Sequence, residues 1–411
     1  MKIILSNYRY FISGGPERYM FSMQDVFKEH GHEVFPFSVK SARNVPCEYE
    51  DRFLSPVADE NSAYFSEYKK DPATLLKVLS RQLYSPEAFF KARNFARFCK
   101  PDLAYSLQYM SKMSPAVLDG FKSAKLPVVL RVSDFSMICP QGTLFDGHAV
   151  CNACIKGNFL HPIERRCVLN SRTAGAVKGG ALMLHRLLKC RDRIDAYVFP
   201  SRFTMQKFIE GGFPPEKLHC IPTPVETGNI TPRFSGDGPL LYFGRVSIEK
   251  GVHQLLEAYR SISTDKPKLE VVGAQAAVPY ARRLMDEYGE VSFFDFASKA
   301  ELESHILNAS CVVIPSVWYD NLPNALLEAY SYGKPVIVPA HGSFLDLVTD
   351  RQTGLFYEAG NVDSLREKLE WAIAHPSEMA RMGKNARAFV EAEFSFSKHY
   401  ARLMSVFKSV L

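Results

Sequence analysis

The chain has 411 residues, more than a single hydrophobic core usually holds, which predicts two domains. Hydrophobic residues make up 46% and charged residues 23%, as in ordinary globular proteins. The net charge of +6 suits an anionic ligand or an acidic membrane surface, but it is too small to favour nucleic acid as a partner. Because the sequence has no apolar run of membrane-spanning length and no secretory signal, its nine cysteines predict reduced thiols in a cytoplasmic protein.

The first half of the chain alternates short apolar runs with longer amphipathic segments. Helical patterns at 16–30 and 114–122 lie between the apolar runs, and this alternation predicts a parallel sheet with crossover helices. The predicted strands of this half cover residues 2–6, 33–38, 102–106, 127–132 and 196–200.

The second half repeats this plan with Val/Ile/Leu-rich runs that are typical of strands covered on both faces. Two doubly wound α/β domains are therefore predicted, and the Pro-, Gly- and Thr-rich stretch 222–238 is predicted to link them. The predicted strands are 239–243, 269–272, 291–294, 311–314 and 335–338, and the predicted helices are 251–261, 280–288, 299–307, 323–332, 363–375, 376–392 and 395–411.

A glycine pair follows the first predicted strand. Gly14 and Gly15 let the backbone approach a ligand closely, and Pro16 suits the first turn of a helix. Free amides at that helix start favour a phosphate group. A tight turn between strand and helix explains the same residues equally well.

Two cations follow the strand predicted at 239–243. Gly244 and Arg245 end this strand, and Lys250 precedes the next helix. Ligands of open parallel sheets bind beyond the carboxyl ends of strands, where Arg and Lys hold phosphate oxygens. These two residues therefore predict a pyrophosphate site, with two solvated surface cations as the alternative.

Two carboxylates follow the strand predicted at 311–314. Asp320 lies in the loop and Glu328 in the helix after it, a spacing that suits hydroxyl groups of a sugar and a ribose. Alternatively, Asp320 caps the helix and Glu328 pairs with a lysine. A third loop, residues 340–346, follows the next predicted strand and is expected on the same rim.

Four cysteines cluster in the first half, at Cys139, Cys151, Cys154 and Cys167. Their spacing predicts a structural zinc site with four thiolate ligands, although free thiols fit the same pattern.

Two segments, residues 77–100 and 165–193, combine basic residues with large apolar ones. They are expected either to lie on an acidic bilayer or to pack as ordinary amphipathic helices against the sheet.

These features together resemble glycosyltransferase family 4, a large group of retaining group 1 glycosyltransferases with the GT-B fold. The resemblance covers most of the chain and is strongest over residues 198–356. Each motif alone is a weak signal, but their order and spacing are specific. The motifs are Phe199-Pro200-Ser201, Ile221-Pro222-Thr223-Pro224-Val225, Tyr242-Phe243-Gly244-Arg245, Glu249-Lys250-Gly251, Val271-Val272-Gly273, Leu327-Glu328-Ala329, Gly333-Lys334-Pro335-Val336 and Thr353-Gly354-Leu355-Phe356.

The resemblance implies a role for each candidate residue. Arg245 and Lys250 would bind the donor diphosphate, Glu328 the ribose and Asp320 the sugar. Asp320 stands where the family has Glu, and Ser133 replaces a His that usually precedes Asp134. The catalytic residues implied are Asp134, Arg245, Lys250 and Asp320, and the donor-binding residues implied are Gly14, Gly15, Gly244, Arg245, Lys250, Asn321, Leu322, Pro323, Asn324 and Glu328.

The resemblance also implies two Rossmann-like domains that face a central cleft. Residues 1–200 would bind the acceptor, residues 201–390 the nucleotide sugar, and residues 391–411 would form a helix that packs back toward the first domain. The implied reaction moves a hexosyl group from a UDP- or GDP-sugar to a saccharide or lipid-linked acceptor with retention, in cell-surface polysaccharide or glycolipid synthesis. It needs no cofactor and takes place in the cytoplasm or peripherally on the inner membrane face.

Two other functions remain open at this point. One is a different GT-B enzyme that uses sugar nucleotides, such as an epimerase or a phosphorylase. The other is a zinc-bearing scaffold without catalysis.

Overall fold

The computed structural model describes residues 1–62, 67–69, 71–263, 265–295 and 298–411. They form two compact units. The first unit consists of Met1–Asp146, Cys151–Pro222 and Tyr400–Leu411, and the second of Gly147–Val150 and Thr223–His399.

The first unit contains a parallel sheet with the strand order β2-β1-β3-β4-β5-β6. Consecutive residues such as Ile3, Ile4 and Leu5 are all buried, so the sheet is covered on both faces. Its strands are β1 (Lys2–Asn7), β2 (Glu33–Phe37), β3 (Leu103–Gln108), β4 (Val128–Arg131), β5 (Ala196–Phe199) and β6 (Leu218–Cys220). Its helices are α1 (Gly15–Glu29), α2 (Pro72–Leu83), α3 (Pro86–Cys99), α4 (Ala116–Ser123), α5 (His161–Glu164), α6 (Arg172–Leu187) and α7 (Arg202–Glu210).

The second unit contains a parallel sheet with the order β12-β11-β10-β7-β8-β9, which read from β9 is the 3-2-1-4-5-6 order of a Rossmann fold. Its strands are β7 (Leu240–Phe243), β8 (Leu269–Val272), β9 (Ser292–Phe294), β10 (Cys311–Val313), β11 (Val336–Pro339) and β12 (Gly354–Tyr357). Its helices are α8 (Val252–Arg260), α9 (Pro279–Glu287), α10 (Lys299–Asn308), α11 (Asn324–Ser331), α12 (Phe344–Leu347), α13 (Val362–Ala374) and α14 (Pro376–Glu393).

The last helix, α15 (Phe396–Val410), contributes its residues from Tyr400 onward to the first unit. The Tyr400 hydroxyl lies 2.7 Å from Nε2 of His32, and the Phe407 ring lies 5.9 Å from the ring of Phe27. None of the described helices is long and apolar enough to cross a membrane.

The predicted α/β fold with two doubly wound sheets is confirmed. Every predicted strand is present, and no strand end differs from the prediction by more than two residues. The pattern missed β6 and β12, which are short strands at the edges of their sheets. β6 buries only its first residue, Leu218, so its apolar pattern is weak. β12 buries three of its four residues, so burial does not explain why this strand was missed.

Candidate functional site

The candidate site lies where the chain reverses its direction of winding in the second sheet. β7 and β10 are neighbours, but the chain leaves β7 toward β8 on one side and β10 toward β11 on the other. The loops that follow these two strands therefore diverge and leave a crevice between them, which is where open α/β sheets bind ligands.

An ion pair joins the two loops. Nζ of Lys250, from the loop after β7, lies 2.7 Å from Oδ1 of Asp320, from the loop after β10. The Asp320 side chain is 7% exposed and that of Lys250 is 21% exposed. The ammonium group also lies 5.2 Å from the centre of the Trp318 ring, a cation–π distance. The structure thus brings together two residues that are seventy positions apart in the sequence.

Neighbouring hydroxyl groups fix the Asp320 loop. Ser316 donates a 2.7 Å hydrogen bond to Oδ2 of Asp320, and Ser343 donates one of the same length to its backbone carbonyl. His341 bonds the Ser316 carbonyl through Nε2 at 3.0 Å. Burial lowers the pKa of His341 below its usual 6.5, against an opposing effect of the Asp320 charge. Ser343 and His341 belong to the predicted third loop, whereas the role of Ser316 was not predicted.

Close backbone contact holds the first two loops together. Gly251 has a φ of +68°, and a Cβ atom there would lie 1.9 Å from the carbonyl oxygen of Pro315. Val317 donates its backbone N–H to the carbonyl of Glu249 at 3.0 Å. Only glycine fits at position 251, because a side chain would push the Lys250 loop away from the Asp320 loop.

Arg245 presents its guanidinium to solvent. The side chain is 65% exposed and lies 3.6 Å from Glu249, while its backbone carbonyl accepts a 2.6 Å hydrogen bond from the Tyr242 hydroxyl. An anchored backbone with an exposed planar fork suits a residue that meets an anionic ligand.

The start of α11 faces the same crevice, because this helix follows β10. Pro323 occupies the N-cap position without a side-chain cap, so Asp320 does not cap the helix. Glu328 lies half-buried in the second turn.

Two polar atoms near this crevice, Nε1 of Trp318 and Oγ of Ser247, are buried and have no hydrogen-bond partner among the described residues. Uncapped amides and two available polar atoms are suited to a ligand with many hydroxyl and phosphate oxygens. The other predicted residues of this segment, Asn321, Leu322 and Asn324, lie between Asp320 and the first turn of the helix.

The glycine loop of the first unit lies between β1 and α1. Gly14 precedes α1 in an extended conformation, and Gly15 is the first helical residue. The buried carboxylate of Glu17 accepts a 3.0 Å hydrogen bond from Ser13 beside this helix start. A negative charge is thus already present where the sequence predicts a phosphate.

Asp134 lies in the loop after β4, also in the first unit. Its Oδ1 accepts hydrogen bonds from the backbone N–H and the hydroxyl of Ser136, and its Oδ2 accepts one from Gln108 at 3.4 Å. Ser133 next to it donates to the carbonyl of Leu107 at 3.3 Å.

The predicted zinc site is not supported. Burial, and then the charges of Cys139, Cys151 and Cys167, raise the pKa of Cys154 to about 12, so the four thiols lie near one another. However, within the described ranges no group of three or more Cys, His, Asp or Glu side chains is arranged to hold a metal ion. Sequence spacing limits how far apart the four cysteines can lie, but it does not direct their thiols toward one metal ion.

Known proteins resemble this chain both in sequence and in fold. Residues 229–389 match the sequence model of the family described as glycosyl transferases group 1. YtcC of Bacillus subtilis, named as a glycosyltransferase, is 30% identical over 184 residues, which cover 42% of this chain and 45% of YtcC. A GDP-mannose-dependent monoacylated alpha-(1-6)-phosphatidylinositol monomannoside mannosyltransferase of Corynebacterium glutamicum is 26% identical over 246 residues, 54% of this chain and 64% of that protein. The matched regions thus span less than two thirds of either relative's length.

Solved structures match over the whole chain. Sucrose-phosphate synthase of Thermosynechococcus elongatus aligns with a TM-score of 0.69 at 16% identity, covering 99% of this chain and 98% of that one. HepE of Anabaena in complex with UDP-glucose aligns with a TM-score of 0.66 at 16% identity, covering both chains completely. At this identity the likeness establishes the fold, which is the GT-B fold. Residues 229–389 of this chain thus match the group 1 glycosyltransferase family, and the whole chain has the GT-B fold.

Proposed function

We propose that this protein is a retaining glycosyltransferase that moves a hexosyl group from a UDP- or GDP-sugar to a saccharide or lipid-linked acceptor. The observation that carries the proposal is the Lys250–Asp320 pair at the reversal point of the second sheet. It places a cation, which suits the diphosphate of a donor, next to a carboxylate, which suits the hydroxyl groups of its sugar.

In this proposal, Lys250 and Arg245 stabilise the leaving diphosphate. Charge develops on the phosphate oxygens as the glycosidic bond breaks, and fixed cations at that position lower the barrier. Lys250 is held by Asp320 and Trp318, so little reorganisation is needed when the charge appears. Arg245 is exposed and adds a planar pair of donors from the same loop.

Asp320 and Glu328 would hold the sugar and the ribose. Asp320 still has lone pairs for sugar hydroxyls after the bonds from Lys250 and Ser316. Its side chain is one methylene shorter than the family's Glu, so we expect it to bear on the choice of sugar. Gly244, Asn321, Leu322, Pro323 and Asn324 would contribute backbone contacts to the donor. In the first unit, Gly14, Gly15 and Asp134 would contact the donor phosphates or the acceptor.

Because each of these residues is assigned to binding, the acceptor would attack on the same face that the diphosphate leaves. The acceptor hydroxyl would lose its proton to a phosphate oxygen of the leaving group. The new glycosidic bond would then keep the anomeric configuration of the donor.

The proposal is tested with a panel of UDP-, GDP- and ADP-sugars in thermal unfolding, followed by NMR of the product formed from the best ligand. A stabilising UDP- or GDP-sugar and an α-linked product from an α-donor are expected. Stabilisation without a new glycosidic bond would instead favour an epimerase or a phosphorylase. No stabilisation by any sugar nucleotide would favour a scaffold without catalysis.

We also propose that the first unit rests on the acidic surface of the inner membrane. The helices α2 and α6 pack together, yet both keep apolar side chains in solvent, with Leu76 70% and Leu187 74% exposed. Arg172 and Lys189, at the two ends of α6, are exposed as well. Exposed leucines with cations on either side suit a bilayer surface, where the leucines contact acyl chains and the cations contact anionic headgroups. A lipid-linked acceptor would be reached from that surface.

A further inference from the structure

A second reversal of winding occurs in the first sheet, between β1 and β3. β1 lies between β2 and β3, and the chain leaves β1 toward β2 but leaves β3 toward β4. The loops after β1 and β3 therefore diverge, which makes the first unit's own ligand-binding crevice.

A cavity that opens to solvent occupies this position, with about 330 Å³ of empty space when the adjoining solvent is included. Arg9 follows β1, Lys40 follows β2 and Lys112 follows β3, and all three line the cavity together with Tyr8, Ser41 and Tyr68. No carboxylate is found among the described residues that line it. The cavity therefore presents positive charge and hydroxyl groups.

Aromatic rings hold two of the cations in place. The Arg9 guanidinium lies 4.7 Å from the centre of the Tyr8 ring, and Nζ of Lys112 lies 4.5 Å from that of Tyr68. Lys112 also bonds the Tyr68 hydroxyl. Burial, followed by the positive charges of Arg9 and Lys178, lowers the pKa of Lys112 to about 8. Arg9 and Lys112 thus repel each other, and an anion between them would relieve this repulsion.

Carboxylates lie near all three cations but do not line the cavity. Glu17 lies 3.8 Å from Arg9 and is bonded by Ser13. Asp51 lies 3.6 Å from Lys40, but its side chain is fully exposed, so water screens the pair. Glu67 favours the charged form of Lys112 and itself lies 2.9 Å from Arg43.

We infer that the cavity around Arg9, Lys40 and Lys112 binds an anionic group of the acceptor, a phosphate or a carboxylate. This inference rests on the proposed transfer reaction, in which the first unit holds the acceptor. Charge-assisted hydrogen bonds from lysine and arginine are the usual protein partners of both groups. A neutral saccharide would form no such charge-assisted bonds, so the enzyme should prefer acceptors that are acidic or carry phosphate.

The test is a calorimetric titration of the full chain, first with UDP and GDP and then, with the tighter nucleotide at saturation, with glucose 6-phosphate, glucuronate and glucose. We expect at least one of the two anionic sugars to bind about tenfold or more tightly than glucose, with affinity that falls as salt is added. Whichever of glucose 6-phosphate and glucuronate binds more tightly shows whether the acceptor group is a phosphate or a carboxylate. Failure to bind any nucleotide would contradict the proposed function, and the three sugars are then titrated against the free chain.

Lys112→Met and Lys40→Met should each weaken binding of the anionic sugar by about tenfold, while Lys28→Met, at an exposed position of α1, should leave it unchanged. Lys112→Met keeps an aliphatic stem over Tyr68 and removes the repulsion from Arg9, so its unfolding temperature should equal or exceed that of the unchanged protein. In the unchanged chain, glucose 6-phosphate should also slow acetylation of Lys112 but not of Lys28. Equal affinity for glucose and both anions, or binding unaffected by Lys112→Met and Lys40→Met, would overturn the inference.

Discussion

Asp320 receives hydrogen bonds on both carboxylate oxygens, from Lys250 at 2.7 Å and from Ser316 at 2.7 Å, and it is nearly buried. This arrangement fixes Lys250 with its charge compensated before any ligand binds. A donor diphosphate would then meet a cation whose position is already set, which is the condition under which electrostatic stabilisation is most effective.

Asp320→Asn should lower kcat/KM for sugar transfer by about tenfold or more, because a hydrogen bond to a charged group contributes about 1.5–3 kcal/mol. Steady-state kinetics with the best donor measure the effect. Asp363→Asn, an exposed surface partner of Arg366, serves as the control and should not change the rate. An Asp320→Asn enzyme with unchanged kcat/KM would show that the pair has no part in transfer.

Gly251→Ala should destabilise the second unit. The left-handed φ disfavours any side chain, and the new Cβ would overlap the Pro315 carbonyl, so a loss of about 2 kcal/mol or more is expected. Denaturant titration measures the loss. Gly289→Ala is the matched control, since its Cβ would meet no atom within 4 Å. Equal stability of the two variants would contradict the close contact between the Lys250 and Asp320 loops.

His341 should make stability fall in acid. Its pKa is lowered in the folded protein, so the unfolded chain binds the proton more tightly, with a pKa near 6.5. The stabilising contribution is complete above that value and is lost as the pH falls below it toward the folded pKa, at a rate of up to about 1.4 kcal/mol per pH unit.

His341→Gln should therefore reduce the loss of unfolding free energy between pH 7.5 and pH 5.5. The exposed His375→Gln serves as control. An unchanged pH dependence in the His341 variant would refute this account of the third loop.

The double variant Leu76→Ser, Leu187→Ser should lose about tenfold or more of its binding to vesicles that contain anionic lipid, because each exposed leucine contributes apolar area to the bilayer contact. Co-sedimentation with phosphatidylglycerol-containing and purely zwitterionic vesicles measures it. Val278→Ser in the second unit is the control. Should the double variant instead abolish self-association and leave vesicle binding intact, the surface is a contact between copies of the chain.

The sequence indicated which loops form the candidate site, because Arg245, Lys250 and Asp320 each follow a recognisable buried strand. The order of strands in a sheet cannot be inferred from the sequence. Only the structure therefore shows that β7 and β10 are neighbours and that Ser316 bonds Asp320. For the same reason the cavity around Arg9, Lys40 and Lys112 escaped prediction, since these residues come together only through the order β2-β1-β3.

At the cysteine cluster, by contrast, the sequence predicted a site that the structure does not support. Spacing alone suggested a zinc site, yet within the part of the chain that the structure describes no three of these side chains are arranged to hold a metal ion. Sequence motifs thus identified which loops carry chemistry, while side-chain directions and strand order decided which residues meet.

The central claim, that Arg245 and Lys250 hold the donor diphosphate, is tested most directly by the turnover of Arg245→Ala and Lys250→Ala with the best nucleotide sugar. Each variant should lose more than tenfold in kcat/KM, since each removes a hydrogen bond to a charged group of about 1.5–3 kcal/mol. Arg260→Ala, which breaks only a surface pair with Glu290, should remain fully active. Rates like those of the unchanged enzyme in both variants would contradict the assignment.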